Sequence, residues 1–288
     1  MTEAEIGIIG GSGLYDLTGI SDAREVALKT PFGAPSAPYR VGSLRGRAVA
    51  FLPRHGAGHR FSPSSINYRA NLFGFKLLGV TRILSASAVG SMREKIAPRD
   101  LVLPDQFLDR TRHRADTFFD EEIVAHVSLA EPVCPELFRT CIAAARNTTA
   151  RLHTGGTYLC MEGPQFSTRA ESRLYRSWNV AVIGMTNLQE ARLAREAEIC
   201  YLTLALVTDY DCWREGATVA VDAILENLEQ NARTAAVVLE ETISRLPAER
   251  GCRCQEALMQ AILTRPEVIP AETRKKLAPL IGHRLPPE

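Results

Sequence analysis

The longest strongly apolar stretch of the chain reads Ile199-Cys200-Tyr201-Leu202-Thr203-Leu204-Ala205-Leu206-Val207. A transmembrane helix needs about 20 apolar residues, so this stretch is too short to cross a bilayer as a helix. Its length and apolar character predict a buried strand. Other short apolar runs predict further strands at residues 6–9, 48–52, 82–85, 101–103 and 180–183.

Helix signals lie between several of these runs. Ser62-Pro63 places a capping hydroxyl before a proline, which predicts a helix start, and Thr168-Arg169-Ala170-Glu171 is a capping box. A third helix is predicted at about residues 221–244. This mixed order predicts an α/β fold, a single domain with a central mixed sheet flanked by helices.

The domain organisation follows from where the composition changes. Residues 1–247 contain no internal repeat or convincing linker and are predicted to form one domain. Residues 248–288 are charged and rich in proline. They predict a helical tail that packs on the same domain or on a neighbouring subunit.

Charge and composition exclude several classes of partner. The chain has 34 basic and 33 acidic side chains, so its summed charge favours neither nucleic acid nor an anionic membrane. Glu3 and Glu5 stand where a secretory signal needs basic residues and an apolar core, so we expect a cytoplasmic protein. The 7 cysteines are an odd number, and most are expected to be reduced core residues.

A glycine-rich turn follows the first predicted strand. Gly10-Gly11-Ser12-Gly13 can direct backbone N–H groups and the Ser12 hydroxyl toward an anion such as phosphate. A purely structural turn is an equal alternative. The dinucleotide fingerprint needs glycine where Asp16 stands, and no P-loop motif occurs, so both of these nucleotide sites are excluded.

Polar residues follow other predicted strands. Arg54 and His55 suit phosphate, although taken alone they are better explained by a surface salt bridge beside a core histidine. His55 and His59 lack a third ligand for a metal. Asp209 and Asp211 leave the most apolar strand, where partial desolvation would suit a carboxyl group to donate a proton, with helix capping as the alternative.

These motifs, taken in order, resemble the purine nucleoside phosphorylase and methylthioadenosine phosphorylase family. The resemblance covers about residues 5–245 and implies a nucleoside phosphorylase-like fold. The matching segments are Ile8-Ile9-Gly10-Gly11-Ser12-Gly13-Leu14, Thr30-Pro31-Phe32-Gly33-Ala34-Pro35-Ser36, Arg54-His55-Gly56, Glu162-Gly163-Pro164, Met185-Thr186 and Thr208-Asp209-Tyr210-Asp211-Cys212-Trp213.

The resemblance implies a role for each matching residue. Phosphate would be bound by Ser12, Arg54, His55, Ser87, the backbone N–H of Ala88, and Thr186. The ribose would lie against Met185, and the purine would contact Phe166, Ser167, Asp209 and Asp211. Phosphate is then a co-substrate, and we expect neither a cofactor nor a metal.

The resemblance also implies a substrate. Relatives that cleave 6-oxopurines usually carry asparagine at the position of Asp209, so an aspartate there favours adenine. By the same resemblance, Asp209 would donate a proton to the leaving base, and Asp211 would orient the site. An apolar wall of Val221, Ile224 and Leu225 would accept the 5'-methylthio group. His126 would enter the neighbour's 5' pocket in a homotrimer. S-methyl-5'-thioadenosine is the expected nucleoside; a broader or 6-oxopurine phosphorylase and a non-catalytic nucleoside sensor are the alternatives.

Three departures accompany this resemblance, one of which is the tail after residue 247, which does not match the family well. Gln165 replaces an arginine common among relatives, and Gly184 replaces an asparagine. Cys252-Arg253-Cys254 resembles a C-x-C motif found near the end of some heat-stable relatives, which implies a strained bridge, whereas a reducing cytoplasm favours free thiols.

Overall fold

The computed structural model describes residues 3–11, 14, 19–214 and 221–286, without the side chains of residues 221–225. The strands in this part of the chain are β1 (Ile6–Gly10), β2 (Ser21–Val26), β3 (Tyr39–Leu44), β4 (Arg47–Pro53), β5 (Arg82–Ser91), β6 (Leu101–Leu103), β7 (Gln106–Arg110), β8 (Leu152–Thr154), β9 (Thr157–Met161), β10 (Val180–Gly184) and β11 (Cys200–Asp209). The helices are α1 (Tyr68–Leu77), α2 (Pro135–Ala145), α3 (Arg169–Ser177), α4 (Asn187–Glu196), α5 (Val221–Arg245) and α6 (Ala271–Ile281).

The strands form one mixed sheet. Its order is β2-β3-β4-β1-β5-β10-β9-β7, while β11 pairs with β5 and β6, and β8 joins through β6. β1 is parallel to β4 and β5, whereas β10 is antiparallel to β5. One apolar cluster contains side chains of α1, α4 and α6, and a second contains those of α2 and α5. The predicted single domain with a mixed sheet flanked by helices is confirmed.

The two longest strands, β5 and β11, lie side by side and run parallel. Their amino ends pair Arg82 with Cys200, and their carboxyl ends pair Gly90 with Asp209 after a bulge. β11 is buried up to Thr208 because it has neighbours on both edges and helices on its faces. The two ends of this pair therefore hold two different groups of polar side chains.

The helix predictions have different outcomes. The capping box is confirmed, since Thr168 accepts a hydrogen bond from the Glu171 N–H and the Glu171 carboxylate accepts one from the Thr168 N–H. The predicted start at Ser62-Pro63 is wrong. Ser62 instead closes a turn with Ser65, and the helix begins at Tyr68 after Asn67, whose side chain caps the Ala70 N–H at 3.0 Å.

The tail after residue 247 contributes to the core of its own chain. Leu258, Leu277 and Ile281 are buried in the cluster that contains α1. Glu198 accepts hydrogen bonds from the Leu258 N–H at 3.0 Å and from Arg284 at 2.8 Å. These contacts fasten the tail to the loop before β11.

All 7 cysteines are free thiols, including Cys252 and Cys254. Cys212 is half-buried and the others are buried. Among the described residues, no helix is long and apolar enough to span a membrane.

Candidate active site

A cavity of about 610 Å³ opens at the carboxyl ends of β5 and β11. It brings together many residues that are distant in sequence but were predicted to form one site. The predicted residues that line it are Arg54, His55, Ser87, Ala88, Phe166, Met185, Thr186, Asp209 and Asp211. Further lining residues that sequence reasoning did not assign to the site include His59, Pro63, Met161, Leu228 and Glu229.

The other predicted site residues have different positions. Ser12 lies outside the described residues, as do the side chains of Val221, Ile224 and Leu225. Ser167 does not line the cavity, although its carbonyl accepts a hydrogen bond from the Cys212 thiol at 3.2 Å. His126 does not line the cavity of its own chain, and its N–H donates to the Ala261 carbonyl at 2.8 Å.

Arg54 is 1% exposed and lies at the floor of the cavity. Its guanidinium pairs with Glu190 and donates to the Ala86 carbonyl at 2.9 Å and to Ser85 Oγ at 2.6 Å. Burial alone would lower the pKa of Arg54, but the Glu190 carboxylate raises it above its usual range. Since a guanidinium has five N–H groups, the contacts within the described chain leave one Nη1–H for a ligand.

His55 is held in a neutral state beside Arg54. Its Nδ1 is 2.8 Å from the Phe61 carbonyl oxygen, which can only accept, so Nδ1 carries the proton and Nε2 has a free lone pair. Burial, reinforced by the Arg54 charge, lowers the pKa of His55 to about 4. The ring stacks on His59, with centroids 4.1 Å apart.

The amino end of α4 lies at the same part of the cavity. Thr186 is its N-cap residue, and its side chain makes no capping hydrogen bond. The first-turn N–H groups and the helix dipole favour an anion at this end. Asn187 accepts a hydrogen bond from the Ser87 hydroxyl and donates to Ser85 Oγ at 3.1 Å, which fixes the end of β5 against the helix.

Two carboxyl groups, the half-buried Asp209 and the buried Asp211, lie at the other side of the cavity. Asp209 Oδ1 accepts the Asp211 N–H at 2.7 Å, and Asp209 Oδ2 is 2.6 Å from Thr208 Oγ. Asp211 accepts a hydrogen bond from Ser172 Oγ at 2.5 Å. Burial raises the pKa of both carboxyl groups, and the Asp209 charge raises that of Asp211 further. Each therefore retains a proton at higher pH than an ordinary aspartate.

The wall between these halves is formed by Met185 and Phe166. Phe166 is 55% exposed although it lines the cavity, so its ring is accessible to a flat ligand. Gly163 has a φ of 66°, which favours glycine, and a Cβ there would lie 2.5 Å from Met185 Sδ and displace that side chain. A Cβ at Gly184 would lie 1.9 Å from the Tyr158 hydroxyl, which explains why no larger side chain occupies this position.

Arg114 supports this wall from behind and was missed in the sequence. Its Nη1 donates to the Met185 carbonyl at 2.5 Å and to Gln189 Oε1 at 3.0 Å. Its Nη2 donates to the Glu162 carbonyl at 2.5 Å, and its Nε to Glu162 Oε1 at 3.1 Å. No local pattern distinguishes this arginine from the neighbouring Arg112.

These features define a site for a nucleoside and an anion in an α/β fold. Residues 5–244 match the sequence profile of the Phosphorylase superfamily, and the chain belongs to this family. Among its relatives, the S-methyl-5'-thioadenosine phosphorylase of Koribacter versatilis is 56% identical over 97% of this chain and 96% of its own length. The protein of the same name from Geobacter sulfurreducens is 55% identical over 97% of this chain and 99% of its own.

Solved structures agree with this assignment. A methylthioadenosine phosphorylase sourced from an antarctic soil metagenomic library matches with a TM-score of 0.92 and 47% identity, over 97% of this chain and 99% of that one. A mutant adenosine/methylthioadenosine phosphorylase from Schistosoma mansoni, in complex with methylthioadenosine, matches with a TM-score of 0.82 and 36% identity, over 88% and 95%. The resemblance inferred from the motifs is confirmed.

Proposed function

We propose that this chain catalyses the phosphorolysis of S-methyl-5'-thioadenosine to adenine and 5-methylthioribose 1-phosphate. One observation carries the proposal: a single cavity has an anion-adapted end beside Arg54, His55 and Thr186, and two carboxyl groups of raised pKa at its other end. The bond from the sugar to adenine breaks, a bond from phosphate oxygen to the anomeric carbon forms, and the base takes up a proton. The names of the relatives support the same reaction.

Phosphate binds at the amino end of α4. Thr186 and the Ala88 N–H donate to its oxygens, with Ser12 completing the group, and Arg54 contributes its remaining Nη1–H. The Ser87 hydroxyl, which donates to Asn187 in this structure, turns to phosphate when the anion binds. Because Glu190 neutralises Arg54, most of the stabilisation comes from N–H and O–H donors and the helix dipole. The neutral His55 Nε2 accepts the hydrogen of monohydrogen phosphate, which selects and orients that form.

Asp209 protonates the leaving base. In the structure the Thr208 hydroxyl donates to Asp209 Oδ2 at 2.6 Å. When Oδ2 carries the proton, Asp209 donates to Thr208 Oγ instead, and the Thr208 hydroxyl turns to the Val89 carbonyl at 3.2 Å. This chain holds the proton until adenine N7 replaces Thr208 as acceptor. Asp211 orients Asp209 through its backbone N–H. Positive charge on the ribosyl group is then stabilised by phosphate while the base leaves neutral.

The proposed nucleoside contacts two parts of the cavity, the wall of Met185 and Phe166 and the 5' end beside α5. Phe166 stacks on adenine, while Met185 covers the ribose. At the 5' end, Leu228 of α5 lines the cavity, and residues 221, 224 and 225 precede it at helical spacing. Val221, Ile224 and Leu225, whose side chains lie outside the described residues, are proposed from the family resemblance as the apolar wall for the methylthio group. A 5'-hydroxyl would lose hydrogen bonds there, at a cost of about 1–3 kcal/mol.

The assembly we propose is a cytoplasmic homotrimer in which His126 closes the neighbour's 5' pocket. The backbone around His126 is fixed to the tail, since the Leu263 N–H donates to the Val124 carbonyl at 2.9 Å. The same surface exposes Val124, Met259, Leu263 and Val268, of which Leu263 is 61% exposed. Such an apolar surface is typical of an interface between subunits. The reaction suits salvage of adenine and of the methylthio sugar.

The reaction can be tested by comparing base release from four nucleosides with and without phosphate. We expect phosphate-dependent release of adenine from S-methyl-5'-thioadenosine, slower release from adenosine, and little from methylthioinosine or inosine. Added metal ions or nucleotide cofactors should not change the rate. Equal release without phosphate would indicate a hydrolase, and faster cleavage of inosine would indicate a 6-oxopurine phosphorylase.

A further inference from the structure

A second cluster of reactive side chains lies at the opposite end of β5 and β11. The sulfur atoms of Cys134, Cys200, Cys252 and Cys254 all lie within 4.8 Å of one another, and all four residues are buried. Cys200 begins β11 and Asp209 ends it. At about 3.3 Å per residue this strand separates the cluster from the catalytic carboxyl by roughly 30 Å. The cluster is therefore distinct from the active site.

Three separate parts of the chain meet at this cluster. Cys134 is the N-cap residue of α2, and its N–H donates to the Tyr201 carbonyl at 2.9 Å. Cys200 comes from the sheet. Cys252 and Cys254 come from the tail, where a short 3-10 turn over Arg253–Glu256 returns the second thiol toward the first. The sequence predicted no metal because these positions are far apart along the chain.

The spacing of the sulfur atoms suits a tetrahedral metal ion. Zinc binds thiolate at about 2.3 Å, so a regular four-thiolate site has sulfur atoms about 3.8 Å apart. Here Cys200 Sγ is 3.3 Å from Cys252 Sγ, and no pair exceeds 4.8 Å. The two tail cysteines are closer in sequence than in the usual C-x2-4-C arrangement, but their sulfur positions meet the geometric requirement.

The surroundings offer a helix amino end and a buried N–H donor to a site whose net charge is −2, while the Arg82 charge itself is paired with Glu5. The amino end of α2, at Cys134, favours a thiolate. Arg82 is the register partner of Cys200 on β5, so both side chains leave the same face of the sheet. Arg82 is 1% exposed, and its Nε has no hydrogen-bond partner among the described residues. Its Nη2 donates to the Pro247 carbonyl at 3.0 Å, where the tail begins.

We propose that Cys134, Cys200, Cys252 and Cys254 bind one zinc ion per chain as a closed structural site. Four thiols release their protons to solvent, and Zn²⁺ takes their place between the sulfur atoms. Because the protein supplies all four ligands, no position remains for substrate. The ion joins the tail to α2 and β11. The tail in turn holds the backbone of His126 through Ala261, so the ion also stabilises that loop.

The direct test is the metal content of the full-length protein. Protein produced with zinc and purified under reducing conditions should contain about one zinc per chain, against less than about 0.1 in Cys252→Ser/Cys254→Ser. Cys141→Ala is the matched control, since Cys141 is also a buried thiol of α2 but lies outside the cluster. It should retain full zinc content. Cobalt in place of zinc should give thiolate charge-transfer absorption and tetrahedral bands.

Stability provides a readout independent of metal analysis. Zinc should raise the unfolding temperature of the reduced wild type by about 5–10 °C and leave the double variant unchanged. Reduced wild type that takes up no more zinc than the double variant would overturn the proposal. So would disulfides in the isolated protein together with failure to bind zinc after reduction. Neither result bears on the proposed phosphorylase activity, which is measured separately.

Discussion

At the scale of single residues, environment decides what a side chain can do. Asp209 and Asp22 are the same amino acid, yet Asp22 lies exposed on β2, whereas burial raises the pKa of Asp209. A carboxyl group with a raised pKa remains protonated at pH values where an ordinary aspartate, with pKa about 3.9, is ionised. Activity that needs this proton is present below the raised pKa and is lost as pH rises through it.

We therefore expect Asp209→Asn to lower kcat/KM for S-methyl-5'-thioadenosine by about 10²–10⁴-fold, because an amide is not a general acid. Activity toward 6-oxopurine nucleosides should fall less. The decrease of kcat/KM at rising pH that is due to Asp209 should disappear in the variant. Steady-state kinetics across pH measure both effects, and Asp22→Asn serves as the control. A loss of only a few-fold with an unchanged pH profile would reduce Asp209 to a structural cap.

At the scale of secondary structure elements, prediction succeeded where a run of residues is buried on both faces. β1, β10 and β11 are continuous apolar runs and were predicted. β2 and β7 are exposed edge strands with polar sequences, so their hydrogen bonds to β3 and β9 rather than their composition create them. The relative positions of elements depend on buried polar residues such as Arg114. Its side chain donates to Glu162 after β9, to the Met185 carbonyl after β10, and to Gln189 in α4.

Replacing Arg114 tests this positioning role. Arg114→Met should lower the free energy of unfolding by about 1–3 kcal/mol, because it leaves the Glu162 and Met185 carbonyl oxygens without this buried donor. We also expect a higher KM for the nucleoside with a smaller change in kcat, since the wall beside the sugar moves. Urea unfolding and steady-state kinetics measure the two effects. Arg112→Met, exposed on the same loop, should change neither; equal effects in both variants would contradict the role.

At the scale of the whole molecule, the tail and the loop containing His126 form one exposed apolar surface. In the proposed assembly a neighbouring subunit covers the 5' end of the cavity, and His126 does not line the cavity of its own chain. A symmetric ring of subunits gives this arrangement, since each copy closes the pocket of its neighbour. With zinc bound, the proposed cysteine site holds this surface in position.

We expect a trimeric mass in dilute solution and recovery of activity when two inactive variants exchange subunits. His126→Ala lacks the covering loop and Asp209→Asn lacks the acid, so a mixed trimer places an intact loop beside an intact acid. Each variant incubated alone is the control. A monomeric protein with full activity would refute the shared site, and a trimer without recovery after verified exchange would remove His126 from it.

The amino-acid sequence by itself determined the apolar strands, the capped helix at Thr168 and the motifs that mark the family, because burial and capping signals are local. Nine of its proposed site residues meet in one cavity. Only the tertiary structure decided that Glu190 neutralises Arg54, that Arg114 supports Met185, and that four cysteines meet at the opposite end of the sheet. These contacts join residues far apart in the chain, and their partners are selected by strand register and helix packing, which no local pattern specifies.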